Sequence, residues 1–189
     1  MRDTRIWYAG LVLLIVVERF AELALSARNA RRLRARGGVE HGAGHYPVMV
    51  LLHTALFAAA PAEVFLAGRT FLPWLGLPMI VLLAGTLLLR YWVIGTLGDR
   101  WCTRVIVPPG EPAIAAGPYR FLRHPNYLAV AFEVPTLALV HTAWLTALSF
   151  GALNLLLLRT RIRVEDAALG RRAPSDRAAG PAGAKGAGA

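Results

Sequence analysis

Two arginines, a histidine, two tyrosines and two prolines crowd into Gly117-Pro118-Tyr119-Arg120-Phe121-Leu122-Arg123-His124-Pro125-Asn126-Tyr127, directly before a long apolar segment. Polar groups are expensive at membrane depth, so such a density at an apolar boundary points to use. A second polar string follows the apolar segment, Arg159-Thr160-Arg161-Ile162-Arg163-Val164-Glu165-Asp166. Arg161 and Glu165 are four residues apart, so on a helix they project from one face and can hold one ligand jointly. A guanidinium stays charged at every relevant pH, and its planar fork suits a carboxylate or an enolate. Glu133 lies inside the apolar segment, where it can accept a proton from a hydroxyl substrate or serve as a helix-packing hydrogen-bond partner.

These groups belong to a chain of 189 residues that is 56% hydrophobic and 17% charged, against roughly 45–50% and about 25% in soluble domains. The formal net charge is +10, and nearly all the basic residues are arginine. Apolar runs joined by arginine-rich connections are the pattern of an integral membrane protein. A nucleic-acid binder would carry its arginines on a soluble fold, not between runs of about 20 apolar residues. Cys102 is the sole cysteine, which excludes an intramolecular disulfide. His41 and His45 enclose two glycines and have no further ligand nearby, so they do not make a zinc site, and no metal is expected. His53, on an apolar face, reads as a satisfied core histidine.

The elements that must position this chemistry are apolar helices. Spans are expected at about Ile6–Leu25, Tyr46–Ala67 and Phe71–Thr96. The segment Leu128–Leu158 would exceed 45 Å as one helix at about 1.5 Å per residue. That is well beyond a hydrocarbon core of about 30 Å, so it is expected to break into a helical hairpin at Val140-His141-Thr142-Ala143. The first apolar run continues through Glu18, Arg19 and Glu22 without a cleavage site and reads as a retained span. Those three residues form either an interfacial ion cluster or a polar wall of a cavity. The fold class expected is all-α, a polytopic integral membrane protein of about five transmembrane helices whose last two form a hairpin. One domain covers 1–170, and the alanine- and glycine-rich 171–189 reads as a disordered tail. Basic residues cluster in Arg28–Arg36, in Arg100–Arg123 and after Arg159, which puts the N-terminus outside and the C-terminus in the cytoplasm of a bacterial membrane.

The order Gly-x-Tyr-x-x-x-Arg-His-Pro-x-Tyr, apolar hairpin, Arg-x-x-x-Glu-Asp-x-x-Leu resembles the isoprenylcysteine carboxyl methyltransferase family over roughly Arg104 to Leu169. The resemblance implies S-adenosylmethionine bound on the cytoplasmic side, its methyl group directed into a membrane cavity. It implies His124, Pro125, Asn126 and Tyr127 against this cofactor, with Tyr119 nearby. It further implies that a strand-like stretch, Glu111-Pro112-Ala113-Ile114, lines the adenosyl portion. Glu165 would hold polar groups of the cofactor, and Arg104 would be a further contact. Arg161 would orient the methyl acceptor, making Arg161 and Glu165 the catalytic pair; Glu133, which has no clear role in the prenylcysteine enzymes, joins Arg161 as acceptor-facing by its place in the apolar segment alone. Where many members continue Phe-Gly-x-x-Tyr, this chain has Gly170-Arg171-Arg172, which leaves the acceptor less defined than the cofactor. The acceptor class is a prenylcysteine-type carboxylate or an alkyl pyrone or phenol hydroxyl. The partners implied are that lipophilic or prenylated substrate and membrane lipids, with no nucleic acid. Two other readings stand beside it. One is a membrane NADPH-dependent reductase of the sterol-reductase type, which shares the Arg-His-Pro-Asn-Tyr string. The other is a non-catalytic scaffold whose Arg28–Arg36 stretch docks on anionic lipid.

Overall fold

The computed structural model describes residues 2–170; the tail expected to be disordered lies outside them. Five α-helices carry the fold: α1 (Arg2–Ala35), α2 (Tyr46–Leu66), α3 (Pro73–Leu97), α4 (Pro125–Leu139) and α5 (Trp144–Ala168). A ribbon of β1 (Val39–His41) and β2 (Val105–Val107) pairs antiparallel, with Glu40 opposite Ile106.

α1 runs well past the expected first span. It contains no proline and a single glycine, and its alanines, leucines, arginines and glutamates favour helix. Its 34 residues extend about 51 Å at 1.5 Å per residue. The basic stretch from Arg28 is therefore the last turns of a helical rod and not a loop. Gly37 ends it at φ 78°. Gly38 N–H donates to Leu33 O at 2.9 Å and Gly37 N–H to Arg34 O at 3.0 Å, the paired bonds of a Schellman stop.

Three helices, α2, α3 and α5, are long and apolar enough to cross a membrane. Their outer faces expose Leu51, Leu66, Val81, Leu88 and Leu148, a surface that lipid tolerates and water does not. The other two expected spans differ in kind. α1 carries Glu18, Arg19 and Glu22 mid-helix. α4 has only 15 residues, about 22 Å, and is packed between α3 and α5. Enclosed by neighbours, α4 has no need to reach across a bilayer by itself.

α4 and α5 form an antiparallel hairpin through residues 140–143, the expected break. His141 is fully buried there, against the rings of Tyr8 and Phe71. Thr142 takes φ 57°, and its hydroxyl donates to Thr70 O at 2.8 Å. Tyr8 donates its hydroxyl to Leu137 O at 3.0 Å. This end of the bundle is solid, with Tyr8, Val12, Ala60, Val64, Leu83 and Leu137 in one cluster.

The first turn of α5 takes its cap from another helix. Its orphan N–H groups on Leu145 and Thr146 donate to the Glu63 carboxylate at 3.2 and 2.8 Å, and Thr146 Oγ1 adds a third bond at 2.8 Å. Arg69 Nη2 balances the charge at 2.7 Å. Loss of charge-assisted bonds of this kind removes about 1.5–3 kcal/mol. Glu63→Ala is accordingly expected to lower the thermal unfolding midpoint in detergent, and Glu63→Gln to restore part of the loss. An unchanged midpoint in Glu63→Ala would show that the carboxylate is not a cap.

Candidate functional site

The end of the bundle opposite that solid core is hollow. His124 stands immediately before Pro125, the first residue of α4, where the proline ring disfavours a helical backbone and turns the imidazole off the helix start. Arg161 and Glu165 lie one turn apart near the end of α5. The hairpin brings these strings together. Tyr127 donates its hydroxyl to Glu165 Oε2 at 2.6 Å. His124 stands between two carboxylates, with Nδ1 3.4 Å from Glu165 Oε1 and Nε2 3.3 Å from Asp166 Oδ1. The Arg161 guanidinium lies over the Tyr127 ring at 5.6 Å. It also donates to Thr103 O at 2.7 Å and meets Met49 Sδ at 3.0 Å.

Two cavities flank this cluster. The first, about 120 Å³, has a mixed lining and is the more polar of the two. Arg104, Tyr119, His124, Asn126, Tyr127 and Glu165 line it, and the loop residues Ala113 and Ile114 close one side. The second, about 250 Å³, is mainly apolar, walled by Val16, Phe20, Phe57, Val130 and Leu157. Trp101, Asn126, Tyr127 and Arg161 border both, so one wall divides a polar chamber from a greasy one.

Not every expected residue reaches the polar chamber. Glu111-Pro112-Ala113-Ile114 is irregular and not a strand: its prolines and turn flanks leave no partner for a ladder. Glu111 faces away from the chamber and pairs with Arg36 and with Arg100 Nε, the latter at 3.3 Å. The Pro112 carbonyl accepts from Arg100 at 2.8 Å. Pro125 is buried as the first turn of α4. Asp166, Thr103 and Met49 were not singled out from sequence. For Asp166 the signal was present in the acidic pair. Thr103 and Met49 arrive through tertiary contact, as does Trp101, which by its place near a span end reads as an interfacial anchor but is 2% exposed here.

The second cavity ends in ions. Arg19 holds Glu22 at 2.5 Å, Glu18 at 2.8 Å and Glu133 Oε1 at 3.3 Å. Arg90 pairs with Glu133 Oε2 and stands 3.5 Å from Glu22. Glu22, Arg90 and Glu133 are each buried. Arg19 and Glu22 from α1 thus line this cavity. Three carboxylates against two guanidiniums leave a formal charge of −1. Breaking such a buried pair costs more than making it stabilises, so a role beyond stability is called for.

The residues also bear on what the polar chamber can hold. Asn126 Oδ1 and Trp101 Nε1, both on the dividing wall, are buried without a hydrogen-bond partner among the described residues. Unmet buried groups carry a penalty of about 1–3 kcal/mol each, which a bound polar ligand relieves. The Glu165 acceptor and the indole donor suit a polar, cationic ligand, and the apolar chamber beside them suits a lipophilic one.

A model of the Isoprenylcysteine carboxyl methyltransferase (ICMT) family matches residues 77–171. The chain is 35% identical over 160 residues to "Uncharacterized protein YpbQ" of Bacillus subtilis (strain 168), covering 84% of this chain and 94% of the relative. It is 28% identical over 156 residues to an "Uncharacterized protein" of Haemophilus influenzae, covering 82% and 90%. No solved structure matches it.

The family match begins within α3, so α1 and β1 close the polar chamber from outside the matched region. They do so with ion pairs. Arg104 donates to Glu40 at 2.6 Å and lies 4.0 Å over the Tyr46 ring, while Arg34 meets the other Glu40 oxygen at 2.5 Å. Partial burial works against the charged form of Glu40, but the Arg104 and Arg34 hydrogen bonds outweigh it and hold the carboxyl below its usual range. The Arg36 bond does the same for Glu111. Because both values are lowered on folding, their support is complete above about pH 4.3, the ordinary glutamate value, and is lost as pH falls through the lowered values. Amide protection in β1 and β2 should fall severalfold between about pH 5 and about pH 3. Glu40→Gln should flatten that dependence; an unaltered profile in the variant would refute the tie.

Proposed function

The chain belongs to the isoprenylcysteine carboxyl methyltransferase family, a family of membrane methyltransferases, and on that premise we propose that it uses S-adenosylmethionine to O-methylate a lipophilic acceptor. The single observation that carries this reading is the wall shared by a polar and an apolar cavity, built from Trp101, Asn126, Tyr127 and Arg161. A reaction between a water-soluble donor and a lipid needs such a partition.

Bound S-adenosylmethionine supplies a methyl group on a positively charged sulfonium, open to in-line displacement. The chain's part is then mainly to position and to exclude water. Glu165, steadied by Tyr127 and His124, offers carboxylate oxygen to the donor's polar end, and Asp166 adds to it through His124. Asn126 Oδ1 and Trp101 Nε1 receive polar atoms of the same ligand. Arg104 and Tyr119 shape the mouth, and Ala113 and Ile114 present loop backbone to the nucleoside. Arg161 is 5% exposed and spans the wall, so it orients the acceptor oxygen toward the donor. The apolar chamber takes the acceptor's chain, either a prenylcysteine-type carboxylate or an alkyl pyrone or phenol. The arginine-rich ends of α1 and α5 and the loop between α3 and α4 lie on the cytoplasmic side of a bacterial membrane, following their positive charge.

Purified protein is expected to bind S-adenosylhomocysteine and to transfer a labelled methyl group to lipid extracts of its host. Glu165→Gln and His124→Ala should each weaken binding at least about tenfold, or 1.4 kcal/mol. Wild-type protein that neither binds at millimolar ligand nor labels any lipid would sink the proposal.

A further inference from the structure

Glu133 is the carboxylate that sequence alone offers as a proton acceptor, yet the fold takes that role from it. Both its oxygens are held by guanidiniums, Oε1 by Arg19 and Oε2 by Arg90. A carboxylate clamped on both sides is a poor base. His53 faces the same cavity from α2. Its Nδ1 stands 2.8 Å from Met49 O, one turn back on its own helix. A carbonyl can only accept, so in the neutral ring Nδ1 carries the proton and Nε2 is left with a free lone pair. The far edge of the ring therefore presents a hydrogen-bond acceptor to the cavity. Met49, on the same face one turn nearer the dividing wall, touches Arg161. The line from Arg161 through Met49 to His53 runs from the wall into the apolar chamber.

A second buried atom asks for the same chemistry. Asn154 is 1% exposed and lines this cavity; its amide donates to Val130 O at 3.1 Å, while its Oδ1 has no partner. A hydroxyl, which has one proton to donate, suits an unmet acceptor of this kind. An ionised carboxylate has none and needs no base.

Resting on the methyltransferase reading, we infer that the acceptor is a lipophilic, weakly acidic hydroxyl compound and that His53 Nε2 takes its proton. The acceptor oxygen gains the methyl carbon as the carbon–sulfur bond breaks and its electron pair stays on sulfur. The O–H proton passes to His53 Nε2, on the side away from the donor. The imidazolium that forms shares its cavity with Glu133 from α4, Arg90 from α3 and Arg19 from α1. With Glu18 and Glu22 this ion cluster has a formal charge of −1, opposite in sign to the imidazolium.

The test compares three probes with labelled S-adenosylmethionine: a long-chain 4-alkylphenol, its 2-nitro derivative, which is already largely ionised at assay pH, and N-acetyl-S-farnesylcysteine. His53→Gln should lower kcat/KM for the alkylphenol by about 10²–10⁴. The loss should be far smaller for the nitro derivative, and S-adenosylhomocysteine affinity should be unchanged, which shows that the variant is folded. Without donor, absorption of the bound nitrophenol at neutral pH should report a larger ionised fraction in wild type than in His53→Gln. Equal losses on both phenols, or identical spectra, would overturn the role of His53. Methylation of the farnesylcysteine carboxylate alone would overturn the acceptor class while leaving the methyltransferase reading intact. Methylation of none of the three probes, together with absent S-adenosylhomocysteine binding, would remove that reading itself.

Discussion

Every contact in the site depends on the antiparallel closure of α4 on α5. The turn at 140–143 is short, so distance from it fixes which residues meet. α4 has 15 residues and α5 has 25. The excess of α5 therefore projects about 15 Å beyond the start of α4. Arg161, Glu165 and Asp166 sit on that overhang, above the N-terminus where His124 and Tyr127 emerge. Had the two helices been equal, the polar strings would flank each other in sequence order and leave no recess. Unequal arms over a short turn are what create the chamber.

Lipid changes how the remaining helix attaches. In a bilayer the hydrophobic effect does little to draw helices together, and packing with polar bonds must do more. α1 follows that rule along its whole length. Tyr8 bonds to α4 at Leu137 O, and Arg19 with Glu22 joins α3 and α4 through Arg90 and Glu133. Ser26 meets Thr103 at 2.8 Å, and Asn29 donates to the carbonyls of Gly98 and Trp101 at 3.1 and 2.9 Å. The ion cluster is the most expensive of these fastenings, since a well-packed apolar substitute would hold the helices as firmly. It is also the one that borders a cavity, which is a reason to keep it.

The parts of this architecture that sequence made legible are those whose chemistry is local. The 117–127 and 159–166 strings stand out by composition. The length of apolar chain between them forces a hairpin, and a hairpin forces them onto one face. Hydropathy misjudged α1 because it reports what solvent a segment prefers, whereas helix formation through Arg28–Ala35 follows backbone propensity that charge does not interrupt. The strands at 39–41 and 105–107 were invisible, since three residues carry no periodicity and their pairing spans more than sixty positions. Glu111 was placed in a ligand-lining strand by the family resemblance and not by its own residues. Its real partners, Arg36 and Arg100, come from elements that sequence could not bring near. His53 looked like core filling because its neighbours in sequence are apolar; only the fold shows that they line a chamber.

Charge flow across the dividing wall ties the two chambers into one device on the reading proposed here. On the polar side, Glu165 and Asp166 face a donor that arrives positive and leaves neutral. That change weakens their hold on the spent cofactor after transfer, which favours its release. On the apolar side, a cluster of net −1 awaits the proton that the acceptor gives up. A unit of positive charge thus passes from one acidic lining to the other. An apolar chamber without Arg19, Arg90 and the three carboxylates would have to bury a lone imidazolium, for which low dielectric exacts a large penalty.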